Sequence, residues 1–230
     1  MSAPSTSESS AAPCRNCNAP TNGAHFCASC GKIQPLSPGT DYFAFFGLPR
    51  KLLLDTTLLE QRFHQLSWKL HPDNFVNATE SERELSLDRS SQLNDAYRTL
   101  RELLRRVEYL LGIEGMRNEG ASKQQAPPEL LDEVFALNES LDELREANAR
   151  GGNTSAIRAR LAEAHINFEK KRSEIDEQLR ALCAQWDQAL DGDADRAARM
   201  KLMTQMNELL NRRSYIRNLV AGVQKELVEA

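Results

Sequence analysis

Apolar residues recur along most of this chain at alternating steps of three and four, the spacing of a helix with one buried face. Leu59, Phe63, Leu66 and Leu70 form the first such stripe, which runs up to Pro72. Proline has no N–H and pushes the preceding residue out of the α region, so the helix is predicted to stop there, with His71 and Asp73 held in a restricted loop. A second stripe follows in Leu93, Tyr97, Leu100, Leu104, Val107 and Leu111, with a break or bend expected near residues 101–103. Ahead of both, residues 41–46 predict a short helix closed by Gly47 and Pro49, and Asp55 is the capping candidate for the first long helix.

Three longer stripes occupy the rest of the chain. The first is Leu130, Val134, Leu137, Leu141 and Leu144; the second runs from Ile157 through Leu161, Ala164, Phe168, Ile175, Leu179 and Leu182 to Trp186. The third is Leu202, Met206, Leu209, Ile216, Val220, Val223 and Leu227. Gly151-Gly152-Asn153 and Asp191-Gly192-Asp193 are turn signals between them. Long helices joined by short loops pack antiparallel, so an elongated three-helix bundle is expected. Strand-like alternation is missing outside the cysteine region, and the predicted class is all-α: a helical hairpin, then the bundle. Cys183, beside Leu182 and near Trp186, reads as packing filler, and Met200, Met203 and Met206 as core.

Composition sets the boundaries. Residues 1–13, rich in Ser and Ala and without Lys or Arg, predict a disordered leader and fit neither a secretory signal nor an Arg-rich transit peptide. Pro and Gly mark 34–40 as a linker, and a polar, glycine-containing stretch marks 115–126 as another. The predicted segments are thus 14–33, 41–114 and 127–230. A net charge of −4 over 230 residues argues against nucleic acid and anionic membranes as partners. Apolar runs fall short of the roughly 20 residues that span a bilayer. A reducing cytoplasm is the expected compartment, the mitochondrial matrix the alternative, and the oligomeric state is left open, a monomer included.

Cys14-x-x-Cys17 and Cys27-x-x-Cys30 supply four soft ligands on two tight turns. That set matches a closed, structural zinc site, in which thiolates leave no open position for catalysis. Gly23 and Gly31 offer the positive φ that such turns need, and His25 is superfluous as a ligand. His71 and Asp73 would suit a general-base pair, but the sequence supplies no nucleophile, phosphate loop or second acid to complete one, so no enzymatic activity is expected.

Context gives the tripeptide a different meaning. Asp41-Tyr42-Phe43 with Phe46-Gly47-Leu48-Pro49 introduces it, and His71-Pro72-Asp73-x-Phe75 carries it. Leu93-Asn94-Asp95-Ala96-Tyr97-x-x-Leu100 and Arg106-x-Glu108-Tyr109-Leu110-Leu111 follow. In order and spacing these resemble a J-domain, and in particular the HscB family of co-chaperones, over roughly residues 41–229. The resemblance implies a J-domain that stimulates ATP hydrolysis by a DnaK- or HscA-class chaperone, and a bundle that delivers the iron–sulfur scaffold protein IscU. It assigns chaperone contact to His71, Pro72 and Asp73, with Arg62 and Lys69 as steering charges. It assigns scaffold contact to Leu131, Phe135, Glu139, Glu143 and Tyr215. Asp132 and Ala136 depart from the family pattern, which has an aliphatic residue and Glu there. A zinc-knuckle adaptor with another client, or one associated with nucleic acid, is the alternative, and a purely structural coiled coil is the second.

Overall fold

The computed structural model describes residues 13–21, 23–117 and 127–229. The expected leader apart from Pro13, and most of the second linker, lie outside the described residues. Among the described residues seven α-helices carry the fold: α1 (Tyr42–Phe45), α2 (Thr56–Leu70), α3 (Glu80–Arg101), α4 (Leu103–Ile113), α5 (Leu131–Ala149), α6 (Ser155–Asp191) and α7 (Arg196–Glu229). Among the described residues the only β pairing is two isolated bridges in the cysteine region, Pro13 with Pro20 and Phe26 with Ile33. The class is all-α.

By packing, the chain divides into two compact units. The first holds the described residues up to Arg50 together with Leu54–Arg106; the second holds Lys51–Leu53 and the described residues from Val107 onward.

In the first unit, helix ends are fixed by side chains. The Asp55 carboxylate accepts from the amides of Thr57 and Leu58 at 2.9 and 3.1 Å and starts α2. Thr79 and Glu82 form a reciprocal capping box that starts α3. α2 and α3 run antiparallel, with Phe63 stacked on Tyr97 at 4.2 Å between ring centroids and Leu70 beside Ser86 and Ser90. Leu59, Leu70, Leu93, Ala96 and Leu100 are buried between them, joined by Phe43, Phe45 and Phe46 around α1. The expected break falls at Glu102, whose backbone is extended. Buried Arg106 bridges it by donating from Nε to the Leu100 carbonyl at 2.6 Å.

In the second unit, ion pairs report the direction of each helix. Glu143–Arg160 and Glu133–Lys171 set α5 antiparallel to α6, Asp176–Arg213 together with the Arg158 donation to the Leu227 carbonyl sets α6 antiparallel to α7, and Glu129–Arg212 with Arg145–Glu226 sets the α5 region parallel to α7. Val134, Leu137, Leu161, Phe168, Ile216 and Val220 belong to the apolar core between them. Cys183, Met203 and Met206 are buried, as expected of packing residues. The inward face differs from the predicted one elsewhere: Leu182, Leu202 and Leu209 are only half-buried, Leu210 is buried beside Leu209, and Met200 is exposed. A strict seven-residue repeat drifts by about 20° per heptad on a 3.6-residue helix, and the spacing Ile175, Leu179, Cys183, Trp186 absorbs that drift.

At the C-terminal end of α6, the Asp187 carboxylate accepts from the amides of Leu52 and Leu53 at 2.6 and 2.9 Å, while Lys51 pairs with Asp191 at 2.7 Å. Leu52 is fully buried at this point. Asp187→Ala leaves two amides unpaired and is expected to destabilise the protein by about 1–3 kcal/mol in urea or thermal unfolding. An unchanged midpoint would show that water replaces the carboxylate at no cost.

Candidate functional site

Two near-identical turns build the cysteine site. In the first, the Asn18 amide donates to the Cys14 carbonyl and the Cys14 amide to Ala19; in the second, Gly31 donates to Cys27 and Cys27 to Lys32, all at 2.8–2.9 Å. The residue after each second cysteine takes a positive φ, 62° at Asn18 and 70° at Gly31, the left-handed position that Asn and Gly occupy most easily. Gly31 therefore plays the part predicted for it, and Asn18 plays the equivalent part in the first turn.

All four Sγ atoms lie within 4.8 Å of one another, and the pairs Cys14–Cys30 and Cys17–Cys27 are each at 3.6 Å. The cysteines are free thiols. Four thiolates about 2.3 Å from a shared ion sit about 3.8 Å apart in a tetrahedron, so the spacing fits a metal site. The Cys17 backbone amide is the main influence lowering the Cys14 thiol to about 6, and the Cys30 amide does the same in direction for Cys27. For Cys17 the Ala19 amide lowers the thiol, but hydrogen bonding with Cys30, burial and the other thiols outweigh it and push it up to about 12. The neighbouring thiols thus push one another's ionisation in opposite directions, a competition that a cation at the centre would remove.

The cysteine module is packed on the helical hairpin. Lys32 pairs with Glu82 of the α3 capping box at 2.8 Å, and buried Arg89 donates from Nη2 to the Gln34 carbonyl at 3.1 Å. The His25 Nε2 lies 2.9 Å from the Phe45 carbonyl, with its ring edge-on to Phe45. His25 thus faces α1 and not the thiols, and burial lowers its basicity. Ile33 and Gln34 are themselves buried. Lys32, and then the Thr79 amide, hold the Glu82 carboxyl below its ordinary value of about 4.5. Its stabilising contribution is therefore complete above that value and lost as pH falls through the depressed one.

The His71-Pro72-Asp73 turn caps the end of α2. His71 has φ −59° and ψ 131°, the extended conformation that a following proline imposes, and Pro72–Phe75 form a short 3-10 turn. Both polar side chains face solvent: those of His71 and Asp73 are 56% and 84% exposed. The Asp73 amide donates to His71 Nδ1 at 3.3 Å, and its carboxylate lies 3.4 Å from the same nitrogen. Of the two expected steering charges, Lys69 is exposed, but Arg62 is occupied. Its Nη1 donates to the carbonyls of Phe46 and Gly47 at 2.6 and 2.8 Å, closing the chain after α1.

Sequence reasoning missed Trp68. It is 79% exposed and shares a surface depression of about 550 Å³ with His64, His71, Asp73 and Asn74. The signal was present: Trp68 lies two residues past Leu66, on the polar side of the α2 stripe, where packing does not call for an aromatic.

On α5, Leu131 and Phe135 are exposed, at 40% and 68%. The glutamates lie elsewhere: Glu143 pairs with Arg160 of α6, and Glu139 lines a groove with that arginine, Ala164 and Phe168. A step of four residues turns a helix by about 40° past a full turn, which carries positions 139 and 143 away from 131 and 135. Tyr215 is half-buried and packed against the bundle core. The five residues do not form one continuous face.

No family model matches the chain. The co-chaperone protein HscB homolog of Vibrio vulnificus is 33% identical over 170 residues, covering 74% of this chain and 94% of that protein. The chain belongs to the HscB co-chaperone family. The homolog of Shewanella pealeana is 30% identical over 176 residues, 75% of this chain and 95% of that one. HscB of Buchnera aphidicola is 35% identical over 136 residues, 59% and 78% of the two chains. The crystal structure of human co-chaperone protein HscB matches the fold with a TM-score of 0.63 at 24% identity, covering 95% of this chain and all of that one.

In this HscB family member the metal site and the hairpin share contacts, so removing the metal has a local signature. Chelation is expected to raise amide exchange at Ile33, Gln34 and residues 82–89 at least tenfold while the α6–α7 amides keep their protection. Equal exchange at 82–89 with and without chelator would show that the module docks without metal.

Proposed function

We propose that the protein is a non-enzymatic co-chaperone that stimulates ATP hydrolysis by a DnaK- or HscA-class chaperone and presents to it an IscU-type iron–sulfur scaffold. The observation that carries this reading is the solvent-facing His71-Pro72-Asp73 turn at the end of α2 in a chain of the HscB family. A tripeptide that served only as a turn would have no need to expose both polar side chains beside a bare tryptophan. In this reading residues 41–114 act as the J-domain and 127–230 as the client-binding bundle, joined by 115–126. Residues 14–33, followed by the linker 34–40, form a structural zinc module. Zinc is favoured because four thiolates at tetrahedral spacing suit a borderline-soft ion without redox chemistry.

His71, Pro72 and Asp73 make the chaperone contact, with Lys69 and Trp68 at its border and Arg62 in a supporting role behind α1. Leu131 and Phe135 make the apolar part of the scaffold contact. Glu139 and Glu143 contribute charge from the α6 side, and Tyr215 supports the face from the core. Among the described residues no helix is long and apolar enough to cross a membrane. In this reading the protein works in a reducing compartment, the cytoplasm or, as the alternative, the mitochondrial matrix.

Steady-state chaperone ATPase, measured with and without this protein and an IscU-type scaffold, tests the whole reading. Synergy between the two additions is the expected result, and a folded His71→Gln variant should lose the stimulation. A variant as active as the unaltered chain would sink the assignment. For the client face, Phe135→Ala should weaken scaffold affinity by tenfold or more, the loss of about 1.4 kcal/mol, with no change in thermal midpoint. Unchanged affinity would remove Phe135 from the interface.

A further inference from the structure

Pro72 creates a deficit that the structure fills from three directions. In a continuous helix the Trp68 carbonyl would accept from the amide of residue 72, which is proline and has none. The next two amides are also diverted. That of Asp73 turns to the His71 ring and that of Asn74 to the His71 carbonyl at 3.0 Å, so neither reaches back to Lys69 or Leu70.

Side chains take the vacated places. Asn74 Nδ2 donates to the Trp68 carbonyl at 2.6 Å, replacing the missing proline N–H. Ser86 and Ser90, one turn apart on α3, both donate to the Leu70 carbonyl, at 2.7 and 2.9 Å. Ser86 is fully buried, and Leu70 beside it is fully buried as well. A pair of hydroxyls in an otherwise apolar helix seam is costly unless each finds an acceptor, and here both converge on the last carbonyl before His71.

We propose that Asn74, Ser86 and Ser90 are positioning residues for chaperone stimulation: they fix the end of α2 so that His71 and Asp73 are presented in one geometry. This inference rests on the co-chaperone reading above and adds to it the means by which the turn is held. One of the three cannot act by touching the partner directly. Ser86 has no exposed surface, so any effect it has on the ATPase must pass through the backbone it holds, and half-buried Ser90 shares the same acceptor. Without the three donors the turn still forms, because the proline restricts His71, but it samples several orientations and binding must select one of them.

The test uses the full chain with a DnaK-class chaperone, and reads the co-chaperone concentration for half-maximal ATPase stimulation separately from the maximum. Asn74→Asp is nearly isosteric and places an acceptor against an acceptor. It is expected to raise the half-maximal concentration about tenfold, with the maximum and the thermal midpoint unchanged. Ser90→Ala is expected to raise it about threefold, and Asn74→Gln, which keeps a donor, to restore it to within about twofold of the unaltered chain. Amide exchange at Asp73 and Asn74 should rise in the first two variants and not in the third. Asn74→Asp and Ser90→Ala variants with unaltered half-maximal concentrations would overturn the inference, as would a loss that simply tracks a lower thermal midpoint. If the unaltered chain gives no stimulation at all, the co-chaperone reading itself falls and this inference with it.

Discussion

A proline at the end of a helix removes a donor that the preceding turn was built to use, and much of the first unit is arranged around that loss at Pro72. Stopping α2 is the simple part. The harder part is to stop it on a fixed heading, because carbonyls released from the ladder would otherwise turn toward water and take the chain with them. The answer is to bring α3 back antiparallel in a register that sets Ser86 and Ser90 beneath Leu70. That register is itself fixed at two other points: by the stacked pair Phe63 and Tyr97 further along the hairpin, and by the Thr79–Glu82 cap at the start of α3. A short exposed turn thus depends on packing along two helices.

The cysteine module enters the same network from the other side. About twenty residues with few apolar side chains cannot bury enough surface to offset their own ordering, so the metal supplies what a core would. It also borrows. Ile33 and Gln34 are buried, and the module's contacts fall on Phe45, Glu82 and Arg89, which belong to the hairpin. Glu82 is shared between two tasks, accepting from the Thr79 amide that starts α3 and pairing with Lys32. The module and the helix start are therefore mutually supporting, and the Pro/Gly-containing residues after Ile33 include a buried anchor.

Features that depend on local spacing could be read from the sequence: the five amphipathic stripes, the Asp55 cap, the break at Glu102, and the paired cysteines whose Sγ atoms gather at metal-binding distance. Features that depend on which of two adjacent residues a long helix turns inward could not. Leu210 for Leu209 is a one-position displacement, too small for a pattern of threes and fours to resolve. The role of Arg62 was hidden for another reason. A guanidinium on a helix reads as solvated charge until the chain after α1 is seen to bring two free carbonyls beneath it. The separation of Glu139 and Glu143 from Leu131 and Phe135 was available in principle, since repeated steps of four rotate steadily around a helix.

Trp68 and Phe135 are the only aromatic side chains classed as exposed among the described residues, one in each compact unit. Neither is needed by the packing around it, since the α2 stripe is complete with Leu59, Phe63, Leu66 and Leu70, and the α5 stripe with Val134, Leu137 and Leu144. An aromatic ring kept in water forgoes burial worth about 2 kcal/mol and adds a liability for aggregation. Each ring also stands next to residues singled out on separate grounds: Trp68 beside the His71-Pro72-Asp73 turn, Phe135 one turn from Leu131. Rings that the fold does not use, carried on helices, are what the interface contacts proposed above for both would require.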